Sequence, residues 1–509
     1  MNADATAAYL KAIDPGDAAK VIATGMDMVR GGIGAPVIPL VRDALVHHPR
    51  DAVLWQLLGL AARLEQDGAL ALEAFARAAE LAPNDALIAQ SHAQAALEAG
   101  RPAVGLFDRA AILAPQHGAV LLGRAAAMVA AGRSDESVRG LRRLLAANPL
   151  WIDGHRALAK IVGQLGHFGD PRASLAEALV QARAVPELHQ ALIATDFDLA
   201  DYAAADRHLA DARTVLPPAR WLDSWSAFCA SELSEIARAD SLFEAMGSPA
   251  DIDEALRRSR HEIRAGRAGR ALAIAEAWTA RDGGGVLWPY LELGWRLTDD
   301  PRWQWLEGDR RFVGVYDLSH RLESLTDLAG CLRKLHFADR QPLDQSLRGG
   351  TQTDGPLLSR LEPEIAALRK VILSAVRDYA AQLPPPDPGH PLLLAHRAPL
   401  KFAGSWSVRL TRQGFHVDHV HSQGWISSAF YIALPEPSMG RGEGERAHDG
   451  WLSLGECREL APGLAPIRLI EPKPGRLVLF PSTMWHGTRP FAEGERLTVA
   501  FDVARPRPH

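Results

Sequence analysis

The pattern of hydrophobic and polar positions divides the chain into two parts with different periods. From about residue 15 to about residue 300, apolar residues recur at helical spacing, and Ala, Leu and Arg dominate the sequence. Beyond the proline-rich run at 384–388, the period changes to two, which is typical of β-strands. The pattern therefore predicts an all-helical domain over residues 1–305 and a strand-rich domain over residues 306–509.

Alternating apolar and polar residues predict several short strands in the second part, and two helices before them. The helices are expected at 319–336 and 358–382, with a polar, glycine-containing loop at 341–355 between them. Short strands with a helical layer outside predict an α+β domain built on a closed or sandwiched barrel, the jelly-roll type included. The strands are predicted at 405–411, 415–421, 425–434, 465–472, 475–481 and 496–503.

Proline punctuates the helical part at a near-constant interval of 31 to 37 residues. A regular period in this range indicates stacked helical hairpins, which form a solenoid with a concave surface suited to binding a peptide or a partner protein. The prolines that mark the period are Pro49, Pro83, Pro115, Pro149, Pro186 and Pro217.

The unit that ends at Pro83 contains a spaced set of residues: Trp55, Leu58, Gly59, Ala71, Phe75, Ala78 and Pro83. By these residues the unit resembles the tetratricopeptide repeat. The signature tyrosine of that family is replaced by Ala62, and the units after Pro149 are degraded, so an irregular α-solenoid is the alternative. Small residues are expected to let the helices cross closely while Phe75 fills the gap between hairpins.

The composition of the chain indicates its cellular compartment and limits the classes of partner that it can bind. The chain has 509 residues, 47% hydrophobic and 23% charged, and its net charge of −5 does not favour nucleic-acid binding. Three widely separated cysteines (Cys229, Cys331 and Cys457) fit a reducing compartment and exclude a zinc–cysteine cluster. No stretch reaches the roughly 18 apolar residues of a membrane span, and the N-terminal sequence does not have the pattern of a signal peptide. The expected location is the cytoplasm, with neither nucleic acid nor membrane as a partner.

Histidines that have the spacing of metal ligands occur in the strand-rich part. Two ligands at positions i and i+2 lie on one face of a strand, and FHVDHVH offers two such pairs, His416 with Asp418 and His419 with His421. The pairs have opposite parity, so an undistorted strand cannot direct both at one metal. A carboxylate would offset the charge of a divalent metal, which favours the first pair. His486, in TMWHG, is the candidate for a distant third ligand.

The order of these motifs resembles the 2-oxoglutarate/Fe(II)-dependent oxygenase superfamily. HxH is followed by GWISSAFY, then by PGRLVLFPS and WHG, and finally by an arginine about ten residues later. The resemblance covers roughly residues 310–509 and is greatest to a prolyl-hydroxylase-like bacterial branch that often follows tetratricopeptide repeats. It implies a double-stranded β-helix (jelly-roll) core, and Fe(II) and 2-oxoglutarate as cofactors.

By this resemblance three protein ligands bind one side of Fe(II) and leave the other positions open for 2-oxoglutarate and oxygen. Motif placement favours His419, His421 and His486 as the ligands, and His416 with Asp418 remains the alternative proximal pair.

The resemblance also implies binding residues around the metal. Arg496 is the expected partner of the far carboxylate of 2-oxoglutarate, because arginine stays charged and grips a carboxylate through two hydrogen bonds. The hydroxyls of Tyr431 and Thr498 are the candidates to help bind the same carboxylate; the alternatives are a barrel-core position for Tyr431 and an ordinary strand position for Thr498. Arg348, in SLRGG, is the candidate to reach the site or the substrate, with a surface or structural contact as the alternative.

The sequence thus favours a dioxygenase that hydroxylates a protein or peptide recruited by the helical repeats. One alternative is a hydroxylase of small molecules whose repeats bind a scaffold. The other is a non-catalytic repeat adaptor with an inactive barrel, against which the complete set of metal and cosubstrate residues argues.

Overall fold

The computed structural model describes residues 10, 12–343, 345–421, 424–435 and 448–506. The chain forms two compact units. The first comprises Met1–Arg143, Asp354–Lys370 and Pro506–His509, and the second comprises Leu144–Thr353 and Val371–Arg505. The boundary at residues 305 and 306, which the change of hydrophobic period suggests, stays a prediction.

From Ala18 to Leu297 the described chain is a succession of short α-helices, as the helical period predicts. Their bounds are α1 Ala18–Arg30, α2 Val37–His47, α3 Ala52–Leu64, α4 Gly68–Leu81, α5 Ala86–Glu98, α6 Val104–Leu113, α7 Gly118–Ala130, α8 Ser134–Ala147, α9 Ile152–Leu165, α10 Ala173–Gln181, α11 Pro186–Asp198, α12 Tyr202–Val215, α13 Arg220–Glu232, α14 Ile236–Met246, α15 Ile252–Arg264, α16 Ala268–Thr279 and α17 Trp288–Leu297.

Local sequence explains where the helices of the first unit begin and how closely they cross. Asp51, Asp67 and Asp85 each accept a hydrogen bond from backbone N–H groups of the following helix, which satisfies donors that the first turn leaves without partners. The Phe75 ring is fully buried against Gly59, where an added Cβ would lie 2.8 Å from the ring. The aromatic residue and the small residue of the repeat signature therefore pack on each other within one hairpin, formed by α3 and α4.

The strand-rich part lies in the second unit, and its described residues form two antiparallel sheets. A six-stranded sheet has the order β1-β7-β4-β9-β3-β2, and a three-stranded sheet has the order β6-β5-β8. Two helices, α18 Leu325–Arg333 and α19 Pro363–Gln382, occur among the early strands. The strands are β1 Gly314–Asp317, β2 Leu347–Gln352, β3 Phe402–His416, β4 Gly424–Ala433, β5 Leu452–Leu454, β6 Arg468–Ile470, β7 Arg476–Pro481, β8 His486–Thr488 and β9 Arg496–Ala504.

Two predictions for this part are wrong. The expected strand at 415–421 ends at His416, because the chain there leaves β9 and β2 and pairs instead with the segment that contains β8. The expected loop at 341–355 contains the edge strand β2. Its glycine-rich sequence has a low strand propensity, and pairing with β3 stabilises the strand conformation.

The helices of the second unit support the segment that carries His486. The indole Nε1 of Trp485 donates to the backbone oxygen of Pro289 at 3.0 Å, and its ring meets Tyr290 edge-on with centroids 5.9 Å apart. Pro289 and Tyr290 belong to α17, so a helix of the repeat-like region fixes the position next to a candidate metal ligand. Within the described part of the chain, no helix combines the length and the apolar character needed to cross a bilayer.

Candidate metal centre

Backbone pairing brings the two histidine-bearing segments together. His419 and His486 exchange both backbone hydrogen bonds, each N–H donating to the other's carbonyl oxygen at 2.9 Å. Two residues on, the N–H of His421 donates to the carbonyl oxygen of Ser482 at 3.0 Å. The segment after β3 is therefore extended and paired without being part of a longer strand, and it presents two histidines to the same side.

The side chains of His419, His421 and His486 converge. One ring nitrogen from each lies within 4.8 Å of the corresponding atoms of the other two. They meet in a cavity of about 50 Å³, which we call the histidine cavity, between the large sheet and β5 and β8 of the small sheet. Three imidazoles that approach this closely could hold one metal ion.

Two of these histidines are oriented by carbonyl oxygens, which can only accept hydrogen bonds. Nδ1 of His419 lies 2.8 Å from the oxygen of Val417, and Nδ1 of His486 lies 2.9 Å from the oxygen of Met484. Each Nδ1 must therefore carry the hydrogen, which leaves a lone pair on Nε2 of the neutral ring.

Burial keeps these rings neutral. It lowers the pKa of His419 and that of His486 well below the usual value, and repulsion from neighbouring histidines lowers both further. A metal ligand must be an unprotonated imidazole, so the same burial that disfavours the charged form prepares both rings to bind a cation.

The third histidine is oriented by a carboxylate. Nδ1 of His421 lies 2.8 Å from Oδ1 of Asp502, and the same oxygen accepts a hydrogen bond of 2.6 Å from the Ser427 hydroxyl. A carboxylate behind a metal-binding imidazole fixes its tautomer and raises the basicity of the ligand nitrogen. Asp502 therefore brings a negative charge to the cluster without contacting the metal position itself.

We expect Asp502→Asn to weaken Fe(II) binding roughly tenfold, the lower end of what losing such a partner costs. The amide keeps a hydrogen-bond acceptor for His421 and removes only the charge. Anaerobic Fe(II) titration checks it, with Asp378→Asn as the control because that carboxylate is half exposed on α19. Equal affinity in the two variants would contradict an electrostatic role for Asp502.

Asp418, the carboxylate of the alternative pair, is held away from this cluster. Its Oδ2 accepts hydrogen bonds from N and Nε of Arg458, both at 2.8 Å, and its Oδ1 accepts one from Nη2 at 2.7 Å. The side chain is 3% exposed and packs against Gly487, where an added Cβ would lie 2.2 Å from Oδ1. This ion pair fastens the backbone beside both His419 and His486.

We expect Asp418→Asn to keep Fe(II) affinity within about threefold of wild type while lowering the free energy of unfolding by about 2 kcal/mol. The loss is less than the 3–5 kcal/mol of a fully buried pair, because Arg458 is partly exposed. Fe(II) titration and chemical denaturation measure the two quantities. A folded Asp418→Asn variant that no longer binds Fe(II) would show that Asp418 is a metal ligand.

His416, the other member of the alternative pair, does line the histidine cavity. Its Nδ1 lies 3.1 Å from the hydroxyl of Ser346, which lies equally far from Nε2 of His419, so one serine bridges the two rings. Burial, followed by the charge of Arg496, lowers the pKa of His416 to about 3. The alternation of side chains along an undistorted strand would place His416 and His419 on opposite faces. That argument does not apply here, because β3 ends at His416 and the two residues do not share one strand.

The predicted cosubstrate residues lie on the neighbouring strands β4 and β9. Arg496 is 3% exposed, its Nη1 donates to the backbone oxygen of Gly450 at 2.9 Å, and its guanidinium lies 5.0 Å from the centroid of the Tyr431 ring. Tyr431 pairs across the sheet with Thr498, and Thr498 lines the histidine cavity beside Arg496.

Arg496 and Tyr431 are incompletely satisfied. Among the described residues, neither Nε of Arg496 nor the Tyr431 hydroxyl has a hydrogen-bond partner, and no carboxylate pairs with the arginine. Burial lowers the pKa of Arg496 and raises that of Tyr431. A buried cation without an anion is costly, so these atoms fit the carboxylate of a ligand.

Arg348 lies apart from the histidine cavity. Its Nη1 donates to the carbonyl oxygens of Gln345 and Leu347, both at 2.8 Å, and its side chain lines a separate, larger cavity. The bonds brace the segment that carries Ser346.

Sequence reasoning missed Asp502, Ser346 and Arg458. The signal for Asp502 was available, because it shares the even-numbered face of β9 with Arg496 and Thr498 and is polar on a face that points inward. No pattern marked Ser346 or Arg458, whose partners are more than 35 residues away in the chain.

Comparison with known proteins gives the following similarities. Residues 404–502 match the family described as "Putative 2OG-Fe(II) oxygenase". No curated protein matches the chain.

Three solved structures show the similarity of this chain to known folds. A tetratricopeptide repeat protein from Parabacteroides merdae is 18% identical, with a TM-score of 0.30, and the match covers 45% of this chain and 93% of that one. A prolyl-4-hydroxylase from Pseudomonas putida is 18% identical, with a TM-score of 0.26, covering 41% and 97%. A 2OG-Fe(II) oxygenase family oxidoreductase from Burkholderia pseudomallei is 11% identical, with a TM-score of 0.26, covering 39% and 87%.

The match over residues 404–502 spans the segments that carry the three histidines, Arg496 and Asp502, and it confirms the resemblance seen in the motifs. The C-terminal part of this chain is thus similar to the 2OG-Fe(II) oxygenase family, and it follows a helical, tetratricopeptide-like N-terminal part.

Proposed function

We propose that this chain is an Fe(II)- and 2-oxoglutarate-dependent dioxygenase that hydroxylates a protein or peptide substrate bound by its helical repeats, in the cytoplasm. The family match supports the class of chemistry. The observation that carries the assignment to particular residues is the convergence of three histidines near a buried arginine that has no acidic partner among the described residues.

In this proposal His419, His421 and His486 hold Fe(II) through their Nε2 atoms. Their Nδ1 atoms are occupied by two carbonyl oxygens and by Asp502, so the hydrogen positions needed for coordination are already set. The Ser346 hydroxyl must give up its contact with Nε2 of His419 when the metal binds. Asp502, which lies behind His421 and does not itself bind the metal, provides the negative charge that a ligating carboxylate would otherwise supply.

Arg496 is proposed to bind the far carboxylate of 2-oxoglutarate. Its Nε and the hydroxyl of Tyr431, which have no hydrogen-bond partner among the described residues, are the donors that such an anion would satisfy, and the Thr498 hydroxyl is proposed as a third. The guanidinium keeps its charge because its pKa, although lowered by burial, starts far above neutrality.

Bound Fe(II) supplies the oxidation, in which one oxygen atom of O₂ enters a C–H bond of the substrate and the other enters succinate as 2-oxoglutarate loses CO₂. The chain contributes position and the exclusion of water. Val408, Leu452 and Phe480 form apolar walls of the small histidine cavity, which leaves little room for bulk solvent around the reacting groups.

Succinate formation tests this function. The protein is incubated with Fe(II), 2-oxoglutarate and air, alone, with the protein fraction of a cell extract, or with its small-molecule fraction. We expect the protein fraction to raise succinate release and one of its proteins to gain the mass of one oxygen atom. Stimulation by the small-molecule fraction alone would favour a metabolite hydroxylase. A protein that binds neither Fe(II) nor 2-oxoglutarate would be a non-catalytic adaptor.

A further inference from the structure

The strand β2 forms one edge of the six-stranded sheet. Within the described part of the chain it pairs with β3 and with no other strand. An edge strand presents a row of N–H and C=O groups with which the main chain of another molecule can pair. What this edge can bind therefore depends on which of its backbone groups are already occupied.

The register with β3 shows which backbone groups of β2 point away from the sheet. Thr353, the residue after β2, lies opposite Ser407 in the continued register and donates to its carbonyl oxygen at 3.0 Å. Hydrogen-bonded and non-hydrogen-bonded pairs alternate along an antiparallel ladder. Gln352 and Gly350 are therefore in non-hydrogen-bonded positions, and their N–H and C=O groups point away from β3.

Side chains close the first half of this edge and leave the second half open. Nη1 of Arg348 donates to the carbonyl oxygen of Leu347 at 2.8 Å, and the N–H of Gly349 donates to Oε1 of Gln341 at 3.2 Å. Beyond Gly349, no hydrogen bond within the described residues occupies the outward groups of β2. The sequence there, GTQ, has none of the charged residues or prolines that protect natural edge strands.

The two faces of β2 border two different cavities of the second unit. Gln352 and its partner Val408 line the histidine cavity. Thr351 and its partner Arg409 line a second cavity of about 720 Å³, within the range of roughly 300–1,000 Å³ that ligand sites occupy. We call the second cavity the outer groove. Because side chains alternate along a strand, an extended chain beside β2 would direct them in turn to each face.

The charges around the outer groove are balanced. Three arginines and two aspartates line it, and a glutamate forms an ion pair with one of the arginines. The groove therefore does not select a ligand by net charge, and main-chain hydrogen bonds at the β2 edge are left to recognise it. The charged residues are Arg340, Arg348, Arg409, Asp198, Asp339 and Glu495.

We propose that β2 binds an extended, uncharged segment of the peptide substrate, whose main chain pairs with Gly350 and Gln352 and lengthens the sheet by one strand. The inference rests on the proposed function and deepens it by naming the surface that receives the substrate and the conformation in which it binds. Alternate side chains of the bound segment face the histidine cavity and the outer groove, so the pairing itself directs a side chain toward the three histidines. Pairing requires neither Fe(II) nor 2-oxoglutarate.

Amide hydrogen exchange of the full chain, without metal or cosubstrate, tests the proposal. The probe is an octapeptide of alternating threonine and serine in excess, and its matched control is the same peptide with every backbone nitrogen methylated, which cannot donate hydrogen bonds. We expect the amides of Gly350 and Gln352 to exchange about tenfold more slowly with the unmodified peptide and at an unchanged rate with the methylated one. The amides of β1, at the opposite edge of the sheet, should not change.

A pair of variants at position 352 tests the same contact from the side of the protein. Gln352→Pro removes an N–H that points away from β3, so it breaks no bond of the ladder, whereas Gln352→Ala keeps this N–H and removes the same side chain. We expect the labelled octapeptide to bind about tenfold more weakly to Gln352→Pro than to Gln352→Ala in fluorescence anisotropy. Thermal unfolding shows whether both variants are folded.

Several results would overturn the proposal: no protection of β2 by the unmodified peptide, equal protection by the methylated peptide, equal protection of β1, or equal affinity of two folded variants at position 352. The exchange measurement uses the wild-type chain, so it decides the matter even when Gln352→Pro does not fold. Because neither measurement contains Fe(II), a failure of peptide pairing is distinguishable from a failure of the oxygenase centre, which Fe(II) titration reports separately.

Discussion

His486→Ala is expected to lower the affinity for Fe(II) at least a hundredfold. Losing a residue that merely orients a ligand costs about 10–100-fold in metal affinity, so losing the ligand itself should exceed that range. His486 is also the only one of the three clustered histidines on β8, and neither His419 nor His421 can replace it from the other segment. Anaerobic Fe(II) titration measures the effect directly.

The control for this variant is His396→Ala, because His396 is an exposed histidine of the same unit. It should bind Fe(II) as wild type does. The variant at 486 also leaves the oxygen of Met484 without its donor, so thermal unfolding must show that it is folded at the titration temperature. A folded His486→Ala protein that binds Fe(II) like wild type would contradict the proposed centre.

Arg496→Gln is expected to weaken 2-oxoglutarate binding by about a hundredfold to ten-thousandfold. It removes two hydrogen bonds between charged groups, each contributing about 1.5–3 kcal/mol in a buried site. The unfolding free energy of the metal-free protein should stay the same or rise, because the variant also removes a buried charge that lacks an acidic partner among the described residues. Isothermal titration calorimetry and chemical denaturation measure the two effects.

A loss of binding without a loss of stability separates a ligand-binding arginine from a structural one. Arg468→Lys, on β6 and outside the histidine cavity, should change neither quantity, and Fe(II) affinity should survive in Arg496→Gln. A strongly destabilised Arg496→Gln variant that still binds 2-oxoglutarate would show that this arginine supports the fold instead.

Much of the fold follows from periodicity. The helical spacing and the regular prolines predicted the succession of short helices, because each hairpin encodes its own caps and apolar face locally. The period-two segments predicted most of the larger strands. The strand β2 was not predicted, because LRGGTQ has neither alternating apolar and polar residues nor a run of β-branched residues. Its conformation depends on pairing with β3.

The candidate site was predictable only in part. Motif resemblance selected His419, His421 and His486, which the structure brings together, but their role as ligands stays a prediction. The choice against Asp418 rested on motif placement, and the physical reason became visible only with Arg458, which is 40 residues away in sequence. Long-range partners of this kind leave no local pattern, whereas Asp502 shared the inward face of a predicted strand and was overlooked.

The most direct test of the oxygenase centre is anaerobic titration of the full chain with Fe(II) and 2-oxoglutarate, followed by visible absorption. We expect a weak charge-transfer band that requires both additions, persists in Asp418→Asn and is lost in His486→Ala. Absence of the band in the wild-type protein, or its persistence in His486→Ala, would contradict an Fe(II) and 2-oxoglutarate site built on these histidines.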